Sequence, residues 1–539
     1  MPPTPTTVAL ALVGGVLYFA AFPPLDVGVL GWVALVPLLV AVRGRTPRAA
    51  ALLGWLTGTV AATALTGPSV WSVALRADRT PAVALAAAVV IPQLYGALWF
   101  GGFAWLVARL GALRDARGVV LVPAAWVACE LGRSQVGHAC PWALLAHSQA
   151  TTPVWLQLAD VAGAAGPGFV LATASGAVAL LLVRARGARV AAVVALLVVA
   201  GAWRYGAVAL AAHAPVAGAT SIRLALVQGD VPDEWRGSLA RLGDLLRVYR
   251  GLTAQALDGH PALVVWPENA VGISPDVNAS AFASVLDGAG GRAPALLVGA
   301  PRAVPLDGGG VTLRNSAWLL EPGRGVVAVH DKSRLAPFGE ASPWSLLGPV
   351  ARLAGVRDEY SAGTDATLFV VDGHRLGTLI CFEAIYADVA RRLVADGAEL
   401  LVNVSNDAWF GGHAGMAQHF RAALLRAVET RRWLVRGTNA GITAAIDPRG
   451  VVVARAPMDV PAVLAVDPVP AVGRTPYVRW GDWFAWTCVG VLVIAMTIEG
   501  NEPRRGQWLK KVMVAVVVAG LVGALIPAVQ MLLAIVRGK

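Results

Sequence analysis

Nine stretches of this chain run close to a bilayer's width with almost no charge: 7–22, 27–42, 49–67, 81–108, 119–132, 161–183, 190–211, 482–499 and 512–536. In hydrocarbon a backbone must satisfy its own polar groups, so uninterrupted Ala, Val and Leu runs of this kind predict membrane helices. Composition agrees: 57% of residues are hydrophobic and 14% charged, against roughly 25% charged in a typical soluble domain. The fourth run is longer than a bilayer requires and contains Pro92, which predicts a tilt or a kink. The first run is a poor secretory signal, because MPPTPTT lacks a basic start and a second apolar run follows at once.

The net charge of +11 raises the question of a nucleic-acid partner, but its placement answers otherwise. Residues 1–213 hold thirteen Arg and no Lys, and nine of those Arg fall in three short loops: Arg43, Arg45, Arg48; Arg109, Arg114, Arg117; Arg184, Arg186, Arg189. These loops follow the second, fourth and sixth runs and so lie on one side, where Arg504, Arg505, Lys510 and Lys511 also fall. The positive-inside rule then predicts a cytoplasmic amino terminus, with residues 213–480 on the outer side. No nucleic-acid partner is expected. A ninth span would carry the carboxyl terminus outward as well.

Between the seventh and eighth runs the pattern changes. From about Ser221 to Asp467, IRLALVQG, ALVVWPE, ALLVGAP, SAWLLEP, GVVAVHDK, TLFVVDG, RLGTLICFE, ELLVNVSN, LVRGTN and GITAAIDPRGVVVA read as strands. Helices are expected over Leu239–Leu257, Ala384–Ala398 and Met416–Arg431. Strands without period-2 alternation are buried on both faces, which predicts an α/β domain with helices packed outside its sheets. The expected division is a transmembrane bundle over 1–212, an α/β domain over 219–468, and further spans over 482–536.

Four cysteines make no disulfide framework: Cys129 and Cys488 fall in spans, Cys140 in a loop, and Cys381 alone in the polar block. A solitary buried cysteine is ordinarily a small core residue. Its company argues for more. Glu268 follows the strand run ALVVWP, Lys332 follows GVVAVHD, and Cys381 ends HRLGTLI. Strand ends are where α/β sheets present reactive groups. A thiol needs a base or a positive field to become a nucleophile, and a carboxylate base with a cation completes the set for acyl transfer through a thioester.

These residues resemble the nitrilase, or carbon–nitrogen hydrolase, superfamily, whose catalytic set is Glu–Lys–Cys in this chain order. With seven spans before the block and at least one after it, the chain is similar in particular to the apolipoprotein N-acyltransferases. The motifs are PPLD at 23–26, HACPWALLAHSQ, VQGDVP at 227–232, WPENA, KSRLAPFGE, CFE and NVSNDAWFGGHAGMAQHFRAALLRAVETRRWLVRGTNAGITA. The resemblance implies an αββα sandwich on the periplasmic side of a bacterial inner membrane. It also implies Glu268 as general base, Lys332 as oxyanion stabiliser and Cys381 as nucleophile. Glu340 and Glu383 match further acidic positions of the family, and Phe382 stands in the pocket where the family often carries Tyr. Ala341 replaces a usual aromatic.

The implied reaction passes an acyl chain from a phospholipid, usually phosphatidylethanolamine, to Cys381 and then to the α-amino group of a diacylglyceryl-cysteine on an apolipoprotein. The expected protein is a monomer that uses neither cofactor nor metal. His413 and His419 near Asp407 fit no common metal spacing. Asn406, Asp407, Trp409 and Phe410 are expected to shape the site floor or a loop beside it, and Glu130 and Arg133, at i and i+3, to pair with each other, with headgroup contact as the alternative. Two rival readings use the same residues differently: a membrane-tethered amidase with water as acceptor, and a silent lipid-binding scaffold.

Overall fold

The computed structural model describes residues 1–76, 80–136, 139–215, 218–236, 239–278, 282, 293–306, 309–337, 340, 360–364 and 366–500. The run expected over 512–536 and Ala341 lie outside these residues. The chain divides into two units, one made of Met1–Trp71, Pro81–Ala214 and the described part of Thr475–Lys539, the other of Ser72–Thr80 and Pro215–Arg474.

In the first unit, helices Pro47–Arg76, Pro81–Arg109, Ala165–Leu182 and Ala188–Ala212 are long and apolar enough to cross a membrane. Helices Pro5–Ala20 and Trp483–Ile498 are apolar but shorter. The run 27–42 is not one continuous α-helix as expected. A 3₁₀ turn over Gly28–Trp32 precedes a short helix, Val36–Val42. Pro37, lacking an N–H, suits the first turn of a new helix, and Gly28 in the preceding turn packs closely on Ser148, where a Cβ would stand 2.5 Å from the carbonyl oxygen. The interruption expected at Pro92 takes the form of a π turn over Gln93–Ala97. The Gln93 amide there bonds Thr59 and Thr63 on the neighbouring helix. Helix Pro47–Arg76 runs nine residues past the expected end at 67, through Pro68.

Glu130 and Arg133 approach to 3.7 Å while both are buried on helix Gly118–Gln135. Glu130 also accepts the Leu145 N–H at 2.7 Å, and Arg133 reaches the Ala143 carbonyl. The pair therefore clasps the following loop to its own helix.

The described residues of the second unit include twelve strands: β1 (Leu224–Gln228), β2 (Leu263–Val265), β3 (Ala295–Pro305), β4 (Val311–Glu321), β5 (Gly325–Asp331), β6 (Leu368–Val371), β7 (His374–Ile380), β8 (Leu400–Ser405), β9 (Leu434–Thr438), β10 (Ala444–Ile446), β11 (Val452–Arg455) and β12 (Ala462–Val466). They form two six-stranded sheets in the orders β12-β1-β2-β3-β4-β5 and β11-β10-β9-β8-β7-β6. Each has a parallel trio at its centre, β1-β2-β3 and β7-β8-β9, with antiparallel strands on either side.

Alternation along the strands sorts the side chains into two layers. Leu224, Leu226, Leu263, Val265 and Leu297 join Leu376, Ile380, Leu400, Val402 and Val435 in one core between the sheets. Ala225, Val227, Val264, Trp266, Leu296 and Val298 face the other way, against Leu245, Tyr249, Leu252 and Ala256 of helix Leu242–Leu257. Trp266 stacks on Tyr249 and donates to Thr253 at 3.0 Å. Both strand faces are apolar because both are covered, which is why the sequence runs lack alternation. The pairing of β12 with β1 is antiparallel, Leu226 opposite Leu464. That strand was absent from the sequence reading, since its short AVLAV run follows the turn-rich PMDVP with few neighbours to mark it.

Leu226 is fully buried in the inter-sheet core. Leu226→Ala should destabilise the domain by about 2–5 kcal/mol, read as a lower thermal midpoint of the full chain in detergent.

Candidate active site

Three loops at strand ends carry the site. The chain leaves β2 through Trp266 and Pro267 to Glu268, leaves β5 directly into Lys332, and leaves β7 into Cys381. Glu268 is 5% exposed, Lys332 1% and Cys381 9%. All three line one pocket of about 420 Å³, together with Glu340, Phe382, Asn406, Trp409, Phe410 and Asp233.

Lys332 is the first lysine in a chain whose other basic residues up to that point are all arginine. Its ammonium contacts Glu340 at 2.7 Å and Glu268 at 3.3 Å. Burial opposes the charge, but Glu340 and Glu268 outweigh it and raise the lysine well above its ordinary value. The lysine is therefore a fixed cation. Asn315 on β4, which the sequence reading passed over, ties the two carboxylates together, donating to Glu268 at 2.7 Å and to Glu340 at 2.6 Å. Backbone N–H groups finish the cradle: Asn406 donates to Glu268 at 3.0 Å and Ala336 to Glu340 at 2.7 Å. Asn315 lies between Arg314 and Ser316 in β4, so no contrast with its neighbours marks it in the sequence.

Cys381 adopts φ = +50°, a region that a non-glycine residue holds at a cost of about 1–3 kcal/mol and only when its surroundings enforce it. The enforcement is visible. His419 Nε2 lies 3.2 Å from the Cys381 carbonyl oxygen; a carbonyl only accepts, so Nε2 carries the proton. Behind it, Arg436 donates to both oxygens of Asp407 and to His419 Nδ1 at 3.0 Å, while Ser405 donates to Asp407. Burial and Arg436 push the His419 ring below its ordinary value, while Asp407, whose Oδ1 lies 2.9 Å from Nδ1, opposes the shift. Burial disfavours the Asp407 carboxylate, yet Arg436 and His419 hold it well below the carboxylate range.

Glu383 belongs to a different part of the site. It is fully buried and is absent from the pocket lining. It accepts the Ile380 N–H at 2.9 Å, the Ser333 N–H and hydroxyl at 2.7 Å each, and the Arg334 N–H at 3.2 Å. Glu383 thus fastens the cysteine turn to the segment that follows Lys332. His413, by contrast, pairs with Asp459 at an exposed position. Among the described residues no cluster of His, Cys, Asp and Glu has the makings of a metal site.

Burial pushes the Cys381 thiol up, and Glu268 adds to this more than Lys332 relieves it. The resting sulfur therefore keeps its proton, and a carboxylate in the same pocket is at hand to take it. Trp409, Phe410 and Phe382 give the rest of the lining an apolar character suited to a hydrocarbon chain.

A model of the carbon–nitrogen hydrolase family matches residues 223–471, and one of the apolipoprotein N-acyltransferase N-terminal domain matches residues 14–177. An amidase from Nesterenkonia sp. is similar in structure at 17% identity, with a TM-score of 0.34 over 49% of this chain and 94% of that one. The polar unit is thus a carbon–nitrogen hydrolase domain, a nitrilase-like two-sheet sandwich. An apolipoprotein N-acyltransferase of Geobacter metallireducens is 35% identical over 412 residues, 74% of this chain and 78% of that one. One from Azotobacter vinelandii is 34% identical over 408 residues, 74% and 77% of the two chains. The chain belongs to the apolipoprotein N-acyltransferase family.

Two outcomes follow from the geometry. A Cβ on Gly299 of β3 would stand 2.4 Å from the Pro267 carbonyl oxygen and 2.6 Å from Glu268 Cα. Gly299→Ala should displace the Glu268 loop, cost about 1–3 kcal/mol, and lower the rate at which Cys381 is alkylated by iodoacetamide. The second outcome concerns pH. His419 titrates below its ordinary 6.5 in the folded chain, so between 6.5 and that lower value the unfolded chain binds more protons and stability falls with falling pH. His419→Gln should flatten this part of the stability profile, measured as thermal midpoint against pH.

Proposed function

We propose that Cys381 carries an acyl chain between two lipids. As the sulfur attacks the ester carbonyl of a phospholipid, Glu268 takes the thiol proton and Lys332 stabilises the developing oxyanion. The carbon–oxygen bond then breaks, the lysophospholipid leaves with the proton from Glu268, and a thioester remains on Cys381. The α-amino group of a diacylglyceryl-cysteine on an apolipoprotein attacks the thioester and loses a proton to Glu268. The carbon–sulfur bond breaks, the proton returns to sulfur, and the product is an N-acylated, triacylated lipoprotein.

The observation that carries this reading is the convergence of Glu268, Lys332 and Cys381 on one pocket whose remaining lining is largely aromatic and apolar. Glu340 takes a supporting role by holding the Lys332 ammonium at 2.7 Å. An amidase would need water as acceptor; a thioester meant for an amine is better served by a lining that excludes water. The proposed donor is phosphatidylethanolamine and the proposed state a monomer. The proposed setting is a bacterial inner membrane, with 219–468 as the catalytic domain on the periplasmic side, 1–212 as the membrane bundle before it and 482–536 as the membrane segments after it. Support for that orientation is the nine Arg in the loops after the second, fourth and sixth apolar runs.

Wild-type protein given phospholipid alone should gain the mass of one acyl chain on Cys381, and adding a diacylglyceryl peptide should remove it. Cys381→Ala should give neither product. Glu268→Gln and Lys332→Met should each slow acyl-enzyme formation by ~10²-fold or more. Full N-acylation by Cys381→Ala would defeat the proposal, and release of free fatty acid in place of acylated peptide would favour the amidase.

A further inference from the structure

The first unit holds a second concave site, about 340 Å³, walled by Arg43, Arg45, Arg114 and Arg184. Three separate loops supply these arginines, after helices Val36–Val42, Leu98–Arg109 and Ala165–Leu182. Topology alone asks only that basic residues lie on one side of a membrane. It does not ask that four of them, from positions spread over more than a hundred residues, share one hollow. No acidic side chain lines it. Asp115, the acid within the second of these loops, is engaged by Arg117 at 2.9 Å. Arg43, Arg114 and Arg184 have no ion pair among the described residues, while Arg45 reaches only neutral oxygens, those of Pro2 and Thr4.

Like charges gathered around a hollow repel one another, the more so where the dielectric is low. The backbone nonetheless holds them there. Arg184 sits at φ = +52°, and Gly111 at φ = +55° leaves room where a Cβ would stand 2.7 Å from Arg114 Nε. The floor is apolar, with Val42, Val107, Leu113 and Ala185, and exposed Leu181 and Leu182 precede Arg184.

We propose that this pocket binds the phosphodiester headgroup of an anionic phospholipid, independently of the chemistry at Cys381. Guanidinium groups grip phosphate oxygens in pairs, and basic hollows between apolar helices are suited to anionic headgroups. The shared chemistry with a soluble phosphate is plain. The apolar floor and the neighbouring leucines favour the lipid.

The test is native mass spectrometry of the full chain in detergent, titrated with dioleoylphosphatidylglycerol, dioleoylphosphatidylcholine or inorganic phosphate. Wild type should prefer phosphatidylglycerol by about tenfold or more, the worth of one charge-assisted contact. The combined variant Arg43→Gln, Arg114→Gln, Arg184→Gln should lose the preference. Arg48→Gln with Arg189→Gln, at the starts of the helices that follow two of these loops and outside the pocket, should keep it. Equal loss in both variants would reduce the effect to diffuse charge and overturn the site. Displacement of the lipid by millimolar phosphate would assign the pocket to a soluble anion and overturn the lipid. Should the combined variant melt before any lipid is added, Arg43→Gln and Arg114→Gln alone carry the test, each expected to weaken the preference several-fold.

Discussion

An ammonium ion buried to 1% exposure is the constraint on which the catalytic unit turns. Removing such an ion from water costs several kcal/mol unless its surroundings compensate. For Lys332 the compensation comes from separate stretches of chain: Glu268 after β2, Asn315 in β4, Glu340 beyond β5 and the Asn406 N–H after β8. Both sheets must be in register before that set is complete. One cation facing two carboxylates leaves a net negative site, which adds to burial in disfavouring the thiolate of Cys381 beside it. The same two carboxylates hold Lys332 well above its ordinary value, so its charge is kept despite burial.

The second requirement is a backbone one. Presenting Cys381 from the end of β7 demands a left-handed residue, and two networks hold it. From below, Arg436 and Asp407 orient His419 so that its Nε2–H meets the cysteine carbonyl. From the side, Glu383 binds Ile380 to the Ser333–Arg334 turn. Two acidic residues that look alike in the sequence therefore do different work: Glu340 faces the pocket, whereas Glu383 never reaches it.

Much of this was legible before any coordinates. The two-sided apolar strand runs announced covered sheets, and Glu268, Lys332 and Cys381 stood out because each is a reactive group just past such a run. Less legible were features whose signal is spread over distance. β12 is five residues of AVLAV whose role depends on pairing with β1, two hundred and more residues earlier. The run 27–42 has the hydropathy of a span, but it folds as a 3₁₀ turn, packed on Ser148, and a separate short helix with Pro37 in its first turn. Asn315, between Arg314 and Ser316, and His419, beside Gln418, have polar neighbours from which nothing in the sequence separates them.

The sequence by itself determined which segments are apolar enough for a membrane, roughly where most of the strands lie, and which residue types are available for acyl transfer. These follow from local properties: hydrophobic runs, turn residues, and a thiol, a carboxylate and an amine at strand ends. Only the tertiary structure decided how charges are shared. It made Asn315 the link between two carboxylates, turned Glu383 from the pocket into a brace, and gathered arginines from three loops around one hollow. Electrostatic and hydrogen-bond partners are chosen by distance in space, and the chain order carries no record of that distance.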